Sequence, residues 1–298
     1  MTGLDILREI FDPHFLSRNS VYISLLMGAV CPLVGVFLIL RRLVFLGVAL
    51  PQISSCGIAF AFALQSWGWL PHQHDSASER VIAMLGSIVF TLVAILVLST
   101  LERRGRGSVE GRIGTVYVLA GGWSILLLVK NPFGEHGMLE MLRGEIIAVS
   151  NADLLMTAAA FFIVVVALLI FRKEFILVSF DREMAVTLKK RVAVWDTLLF
   201  ACIGLTTSVA VLSVGPLVAF GFLILPPLIA YPFARTPRRL MLDSSFVGVV
   251  SALTGFIIAY HYDLPVGPTD VSLLGVIYGV TFTGRKLWRM WRPPEVWS

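Results

Sequence analysis

Charge is what this sequence has least of. Asp, Glu, Lys and Arg make up 14% of the residues against 57% apolar ones, with a mean hydropathy of +0.86. A chain so poor in charge is excluded from the soluble globular class. Cysteine is scarcer still. Cys31, Cys56 and Cys202 each sit inside an apolar run and share no metal-type spacing, which excludes a disulfide framework. No Gly-x4-Gly-Lys-Ser/Thr loop occurs, so the chain does not hydrolyse ATP by that route. No basic stretch leads an apolar core at the N-terminus. The first residues carry Asp5, Glu9 and Asp12, so 1–19 reads as a short amphipathic segment on the outer membrane surface rather than a cleaved signal. A net charge of +5 and a pI near 9.3 invite a nucleic-acid reading, but no basic stripe with interleaved aromatics is present and nucleic acid is excluded as a partner. Catalytic constellations are missing too: Ser54 and Ser55 have no nearby His, and His72-x-His74 lacks the His-Glu-x-x-His pattern of a hydrolase.

What is present is a series of long apolar runs. A spanning helix needs roughly 20 apolar residues, and nine runs approach this at about 20–40, 44–64, 81–101, 113–129, 153–171, 195–212, 214–231, 244–260 and 271–287. The fourth is short, and the sixth and seventh nearly meet at Ser213, with Gly215-Pro216 as a breaker, so eight spans stay open. No linker of domain length divides the chain. The expected fold is all-α, a polytopic membrane helix bundle forming one permease-type domain over 1–298. Threaded as nine helices from outside, the chain puts nineteen of its 24 Lys and Arg residues on one side and leaves Arg8, Arg18, Arg80, Lys130 and Arg143 on the other. Such an excess marks the cytoplasmic face, so the N-terminus is expected outside and the C-terminus in the cytoplasm.

Several runs contain breakers that a simple anchor does not need: Pro32, Pro51 with Gly57, and Pro226-Pro227. In lipid such breaks survive only where the freed carbonyls meet a neighbouring helix or a wet cavity, so they mark either packing kinks or a pathway. Two connections are long. The outer one, about 130–153, holds Glu135, His136, Glu140 and Glu145. The inner one, 172–195, spaces Phe180, Met184 and Leu188 as a helix face that a partner can grip, with Lys189-Lys190-Arg191 suited to anionic lipid as the plainer reading.

Four stretches in order carry a resemblance: FLILRRLVFLGVALPQISSCGIAFAF, LRGEIIAVSNADL, VSFDREMAVTL followed by VLSVGPLVAFGFLILPPLIA, and YHYDLPVGPTDV. Together they resemble the permease subunits of ATP-binding-cassette importers for zinc, manganese and iron, over most of the chain. The resemblance implies a bacterial inner-membrane homodimer, two cytoplasmic ATPase subunits that hold the ATP and magnesium, and an extracytoplasmic metal-binding protein. No cofactor is expected on this chain itself. Phe180, Asp181, Arg182, Glu183, Met184, Ala185 and Leu188 would then form the coupling turn, although the family often has Gly where this chain has Lys189. Pro51, Gln52, Cys56, Pro226 and Pro227 would border the translocation path.

The expected metal ligands are missing. The family's second helix usually reads Gly-Asp-Ala-Leu-Ser-His, an acid and an imidazole on one helical face that suit a divalent ion. Here Val48 and Gln52 replace them. Three readings stay open: weak coordination in transit, a metal chelate or other small solute as cargo, or a site built from other helices. As a plainer alternative, Gln52 is interhelical hydrogen-bond glue. At the outer rim His72, His74, Asp75, Glu135, His136, Glu145, His261, Asp263 and Asp270 are expected to face outward and line a mouth of negative potential, with turn formation the plainer role for Asp263. The rival classes are an ion-coupled secondary transporter, which needs ionisable residues at mid-membrane, and a receptor or scaffold, which needs no broken helices.

Overall fold

The computed structural model describes residues 18–69, 76–103, 109–129 and 150–291, and every regular element among them is helical. In chain order these are α1 (Arg18–Leu40), α2 (Val44–Ser66), α3 (Ser76–Arg103), α4 (Val109–Val129), α5 (Asn151–Ile170), α6 (Arg172–Phe180), α7 (Arg182–Thr187), α8 (Val192–Val214), α9 (Pro216–Ala230), α10 (Pro237–Tyr262) and α11 (Val266–Trp291). Each of the nine expected runs coincides with one long helix. Seven of them, α1 to α5, α8 and α10, are long and apolar enough to cross a bilayer. The two others fall short for different reasons: α9 is apolar but has only 15 residues, and α11 has 26 residues but an amphipathic pattern. Residues 1–17 of the expected interfacial segment 1–19, the His72–Asp75 loop and the stretch holding Glu135 to Glu145 lie outside the described residues, whereas Arg18 and Asn19 already belong to α1.

Helix ends follow from local chemistry. α5 opens on a capping box in which Ser150 Oγ accepts from Asp153 N at 3.2 Å while Asp153 Oδ2 accepts from Ser150 N at 3.0 Å. This pair gives the Val-Ser-x-x-Asp stretch its structural meaning. α8 stops at Gly215, whose φ of 82° is open to glycine, and Pro216 starts α9 where no amide partner is needed. α10 begins with Thr236 accepting from Arg239 N at 3.2 Å, again followed by a first-turn proline.

The core is the packing of α1, α2, α8 and α9, with α3, α4 and α5 outside them and α10 and α11 closing the other flank. α4 packs chiefly on α2 and presents Val118, Trp123, Ile125 and Leu126 outward, as a lipid-facing helix does. Small residues set the closest crossings. A Cβ on Gly57 would lie 2.5 Å from the Gly86 carbonyl oxygen, joining α2 to α3. Hydroxyl pairs add to these seams: Ser54 with Ser87 at 2.6 Å, Thr91 with Ser208 at 2.8 Å, and Thr157 with Ser213 at 3.0 Å.

The prolines explain two further crossings. Pro32 cannot donate to the Gly28 carbonyl, and that oxygen lies against Gly248 of α10; Pro227 cannot donate to the Leu223 carbonyl, and that oxygen lies against Gly35 of α1. In each case a glycine lets a neighbouring backbone cover the freed acceptor. In this conformation these two breaks are covered by neighbouring helices.

Candidate functional site

At the end of the bundle that carries most of the basic residues, α1 stops in a Schellman turn: Leu43 N donates to Leu38 O at 2.8 Å, Arg42 N to Ile39 O at 3.0 Å, and Arg42 takes a φ of 58°. The turn points Arg41 into the protein. Its Nη1 donates to Asp196 Oδ1 of α8 at 2.7 Å, its Nε donates to Ser179 Oγ of α6 at 2.9 Å, and its guanidinium lies 5.3 Å from the centre of the Phe200 ring. Both charged side chains are nearly enclosed, at 11% and 7% exposure. One residue therefore ties α1, α6 and α8 together. Beside it Phe175, fully buried, packs edge-on to Phe37 at 6.1 Å and to Trp195 at 6.3 Å.

The sequence-predicted coupling turn hangs from this anchor. Asp181 ends α6 and caps α7, its Oδ1 accepting from Met184 N at 2.8 Å. Ala185 is buried and packs with Val178 and Val192, whereas Phe180, Met184, Val186 and Leu188 are all more than half exposed. Glu183 is also exposed, and the Arg182 side chain lies outside the described residues. α7 is only six residues long, so Phe180, Met184 and Leu188 sit on either side of it and within it rather than on one continuous helix face. The turn ends in a second Schellman motif. Lys190 N donates to Ala185 O at 3.1 Å, Lys189 N to Val186 O at 2.9 Å, and Lys189 takes a φ of 53°. This left-handed position is where glycine has no Cβ penalty, so Lys189 carries a backbone cost that glycine there would not. Lys189→Gly is expected to stabilise this turn by about 1 kcal/mol, read as slower amide exchange across 182–190.

Midway along α2, Gln52 is half-buried and its Nε2 reaches Ser124 Oγ of α4 in a long 3.5 Å contact, beside Gly121, where a Cβ would lie 3.4 Å from the same nitrogen. Val48, one turn earlier, is also half-buried, while Pro51 and Cys56 are buried. Ser55 donates to the Pro51 carbonyl at 3.1 Å. Pro226 and Pro227 are buried in α9, far along the chain from Gln52, although α9 meets α2 where a Cβ on Gly47 would lie 2.8 Å from Ile224 Cδ1. One turn beyond Pro227, α9 and α11 part around a groove of about 500 Å³ lined by Leu228, Tyr231, Tyr278, Phe282 and Arg285.

At the opposite end Asn19 donates to Asn151 at 2.9 Å, and Arg80 pairs with Asp153, so α1, α3 and α5 start level with one another. Asp263 is exposed with a φ of 52°, and Leu264 N donates to Ala259 O at 2.9 Å behind it; it forms the turn into α11. His261 is exposed as expected. Asp270 is not: it is fully buried against Gly255, because α11 has already begun at Val266 and carries it inward. Glu145 lies outside the described residues. Sequence reasoning passed over Asp196 and Ser124. An acid at the start of an otherwise apolar run was the available signal for Asp196; nothing marked Ser124.

These helix crossings and motif positions have counterparts. The ABC 3 transport family matches residues 14–284, from the start of α1 into the second half of α11. The chain belongs to that family. Its relatives include the manganese import system permease protein ScaB of Streptococcus gordonii, 25% identical over 93% of this chain and 94% of that protein. Another is the manganese transport system membrane protein MntC of Halalkalibacterium halodurans, 25% identical over 89% and 86%. In fold, the chain is similar to PsaBC from Streptococcus pneumoniae in complex with Fab, with a TM-score of 0.79 and 24% identity over 94% of this chain and 95% of that one. As an ABC 3 transport protein the chain is a multi-pass membrane permease, and ATP hydrolysis belongs to a separate subunit.

Proposed function

We propose that this ABC 3 permease imports divalent metal ions, manganese first among them, as a homodimer driven by two cytoplasmic ATPase subunits that clamp on α7. The observation that carries the proposal is the contrast within that turn: Ala185 anchors it to the bundle while Met184 and Leu188 project at 52% and 54% exposure. A small buried anchor flanked by exposed apolar side chains and charges suits insertion into a groove on a partner. The positive-inside rule puts this end in the cytoplasm, where ATP is found, with the N-terminus outside and the C-terminus inside. Relatives named for manganese import support the choice of ion. So does the donor at mid-helix: with its amide nitrogen turned to Ser124, Gln52 offers an amide oxygen, which suits manganese better than zinc. A transit site must also release its ion, so a weak neutral donor serves where the family's acid and imidazole are replaced.

The mechanism is alternating access. ATP-bound partners would favour one position of α7, and the Arg41–Asp196–Ser179 contacts would pass that displacement to α1 and α8. The α9–α11 groove, bordered by Arg285, would be the inward-facing side of the path. Delivery at the opposite end would come from an extracytoplasmic metal-binding protein meeting the Asp263 turn and the Glu145 segment. Two substitutions test the docking. Met184→Arg and Leu188→Asp variants should insert normally but fail to retain the ATPase subunit in a pull-down, and manganese uptake should fall at least tenfold. Undiminished uptake in both would remove α7 from the coupling path.

A further inference from the structure

Asp270 is a carboxyl group with no exposure, and neither of its oxygens accepts a hydrogen bond. It lies in the fifth position of α11, directed at α10: a Cβ on Gly255 would overlap Oδ1. The next residue fixes this direction, since a Cβ on Gly221 of α9 would lie 2.7 Å from Val271 Cγ2. α11 is thus held between two glycines, and its acid has one way to point. The hydroxyls of Ser251, one turn before Gly255, and of Ser24, one turn before the Gly28–Gly248 crossing, are also buried without a partner. They bring this end of α1, α10 and α11 neutral oxygens and no charge.

A lone carboxylate enclosed in this way has nothing to offset its lost hydration. Among the described residues no cation-bearing side chain faces it. The α10 face that holds Gly248, Ser251 and Gly255 has no titratable residue; Tyr260, His261, Tyr262 and Asp263 are exposed beyond it. α9 has none along its length, α11 has none between Asp270 and Tyr278, and α1 offers Arg18 and Tyr22 at its start and the neutral thiol of Cys31 further along. A divalent ion would need about six oxygen ligands at more than 2 Å, and on the Gly255 side a single methyl group already fails to fit. The cation that needs no cavity is a proton.

We propose that Asp270 is a proton-binding site in the α10–α11 contact. The carboxyl holds one proton while α11 is packed on Gly255, and it releases that proton to water, becoming a carboxylate, when the two helices part. By linkage, the packed arrangement binds one more proton than the parted one and weakens as pH rises. The proposal stands apart from the identity of the transported ion and from the ATPase docking.

Infrared spectroscopy of the purified full-length protein in bilayers at neutral pH tests it. The wild type should show the carbonyl stretch of a protonated carboxylic acid, and Asp270→Asn should lack that band while keeping its thermal unfolding profile at acidic pH. Gly255→Ala should lose the band with Asp270 still in place, because the added methyl group displaces the acid. If that variant does not fold, the Asn comparison stands on its own. An identical band in wild type and Asp270→Asn would overturn the proposal. So would removal of the band by manganous ion alone, which would make the group a metal ligand.

Discussion

Arg41→Met is expected to destabilise the folded bundle by roughly 3–5 kcal/mol, the range seen when one partner of a buried ion pair is removed. The reason lies in what remains. Asp196 stays at 5% exposure, its partner Nη1 at 2.7 Å is gone, and methionine offers no donor to replace it. Ser179 loses the Nε donor at the same time, so α6 loosens from α1 as well. Asp196→Asn should cost less, because the neutral amide still accepts from the guanidinium. The double variant Arg41→Met, Asp196→Leu should recover most of the loss, since a buried pair replaced by apolar groups is often neutral in stability. Thermal unfolding of the detergent-solubilised protein checks the order: single Arg41 variant lowest, double variant close to wild type. The same double variant separates stability from coupling. It folds without the polar link to Ser179, so its manganese uptake per ATP hydrolysed should drop even where its melting temperature does not. Equal uptake per ATP in the double variant and the wild type would confine Arg41 to a structural role.

How much of this was legible in the sequence depends on whether a feature is local. Helices could be placed from apolar runs, and their ends from Ser150-x-x-Asp153, Gly215-Pro216 and Thr236-Pro237, because caps and breakers act within a few residues. The short turn at 181–188 was legible for the same reason, including the Lys189 position, which takes the left-handed backbone that suits glycine. What was not legible is which helices become neighbours. The prolines announced freed carbonyls but not that Gly248 and Gly35 would cover them. Gln52 was recognisable as an odd residue in a membrane helix, yet its partner Ser124 lies 72 residues away. Asp196 and Asp270 show both sides of this limit. Each is an acid near the end of an apolar run; one finds Arg41 across the bundle and the other finds only glycine, and no spacing rule separates them.

Gly35→Ala is the second large effect. The Gly35 Cα lies against the Leu223 carbonyl oxygen that Pro227 leaves without its helical donor, and an added Cβ would overlap that oxygen, with Pro227 Cγ a further 3.3 Å neighbour. A flexible side chain turns away from a new methyl group; a helix backbone has to translate. Overpacking ordinarily costs 1–3 kcal/mol, and here the obstacle is rigid, so about 3 kcal/mol or more is expected. α1 and α9 would separate, uncovering a carbonyl in a region with no water to satisfy it. Gly248→Ala, which meets the Gly28 carbonyl and Pro32 Cγ at 2.8 Å, should act alike. The control is internal. Gly114 and Gly279 lie in helices with no atom within 4 Å of an added Cβ, so alanine there should be neutral or stabilising by up to about 1 kcal/mol through helix propensity. Fluorescence-detected gel filtration after heating would place Gly35→Ala and Gly248→Ala well below wild type and the two controls at or above it. If all four variants melted together, the crossings at Gly35 and Gly248 would not be the contacts that hold α1 to α9 and α10.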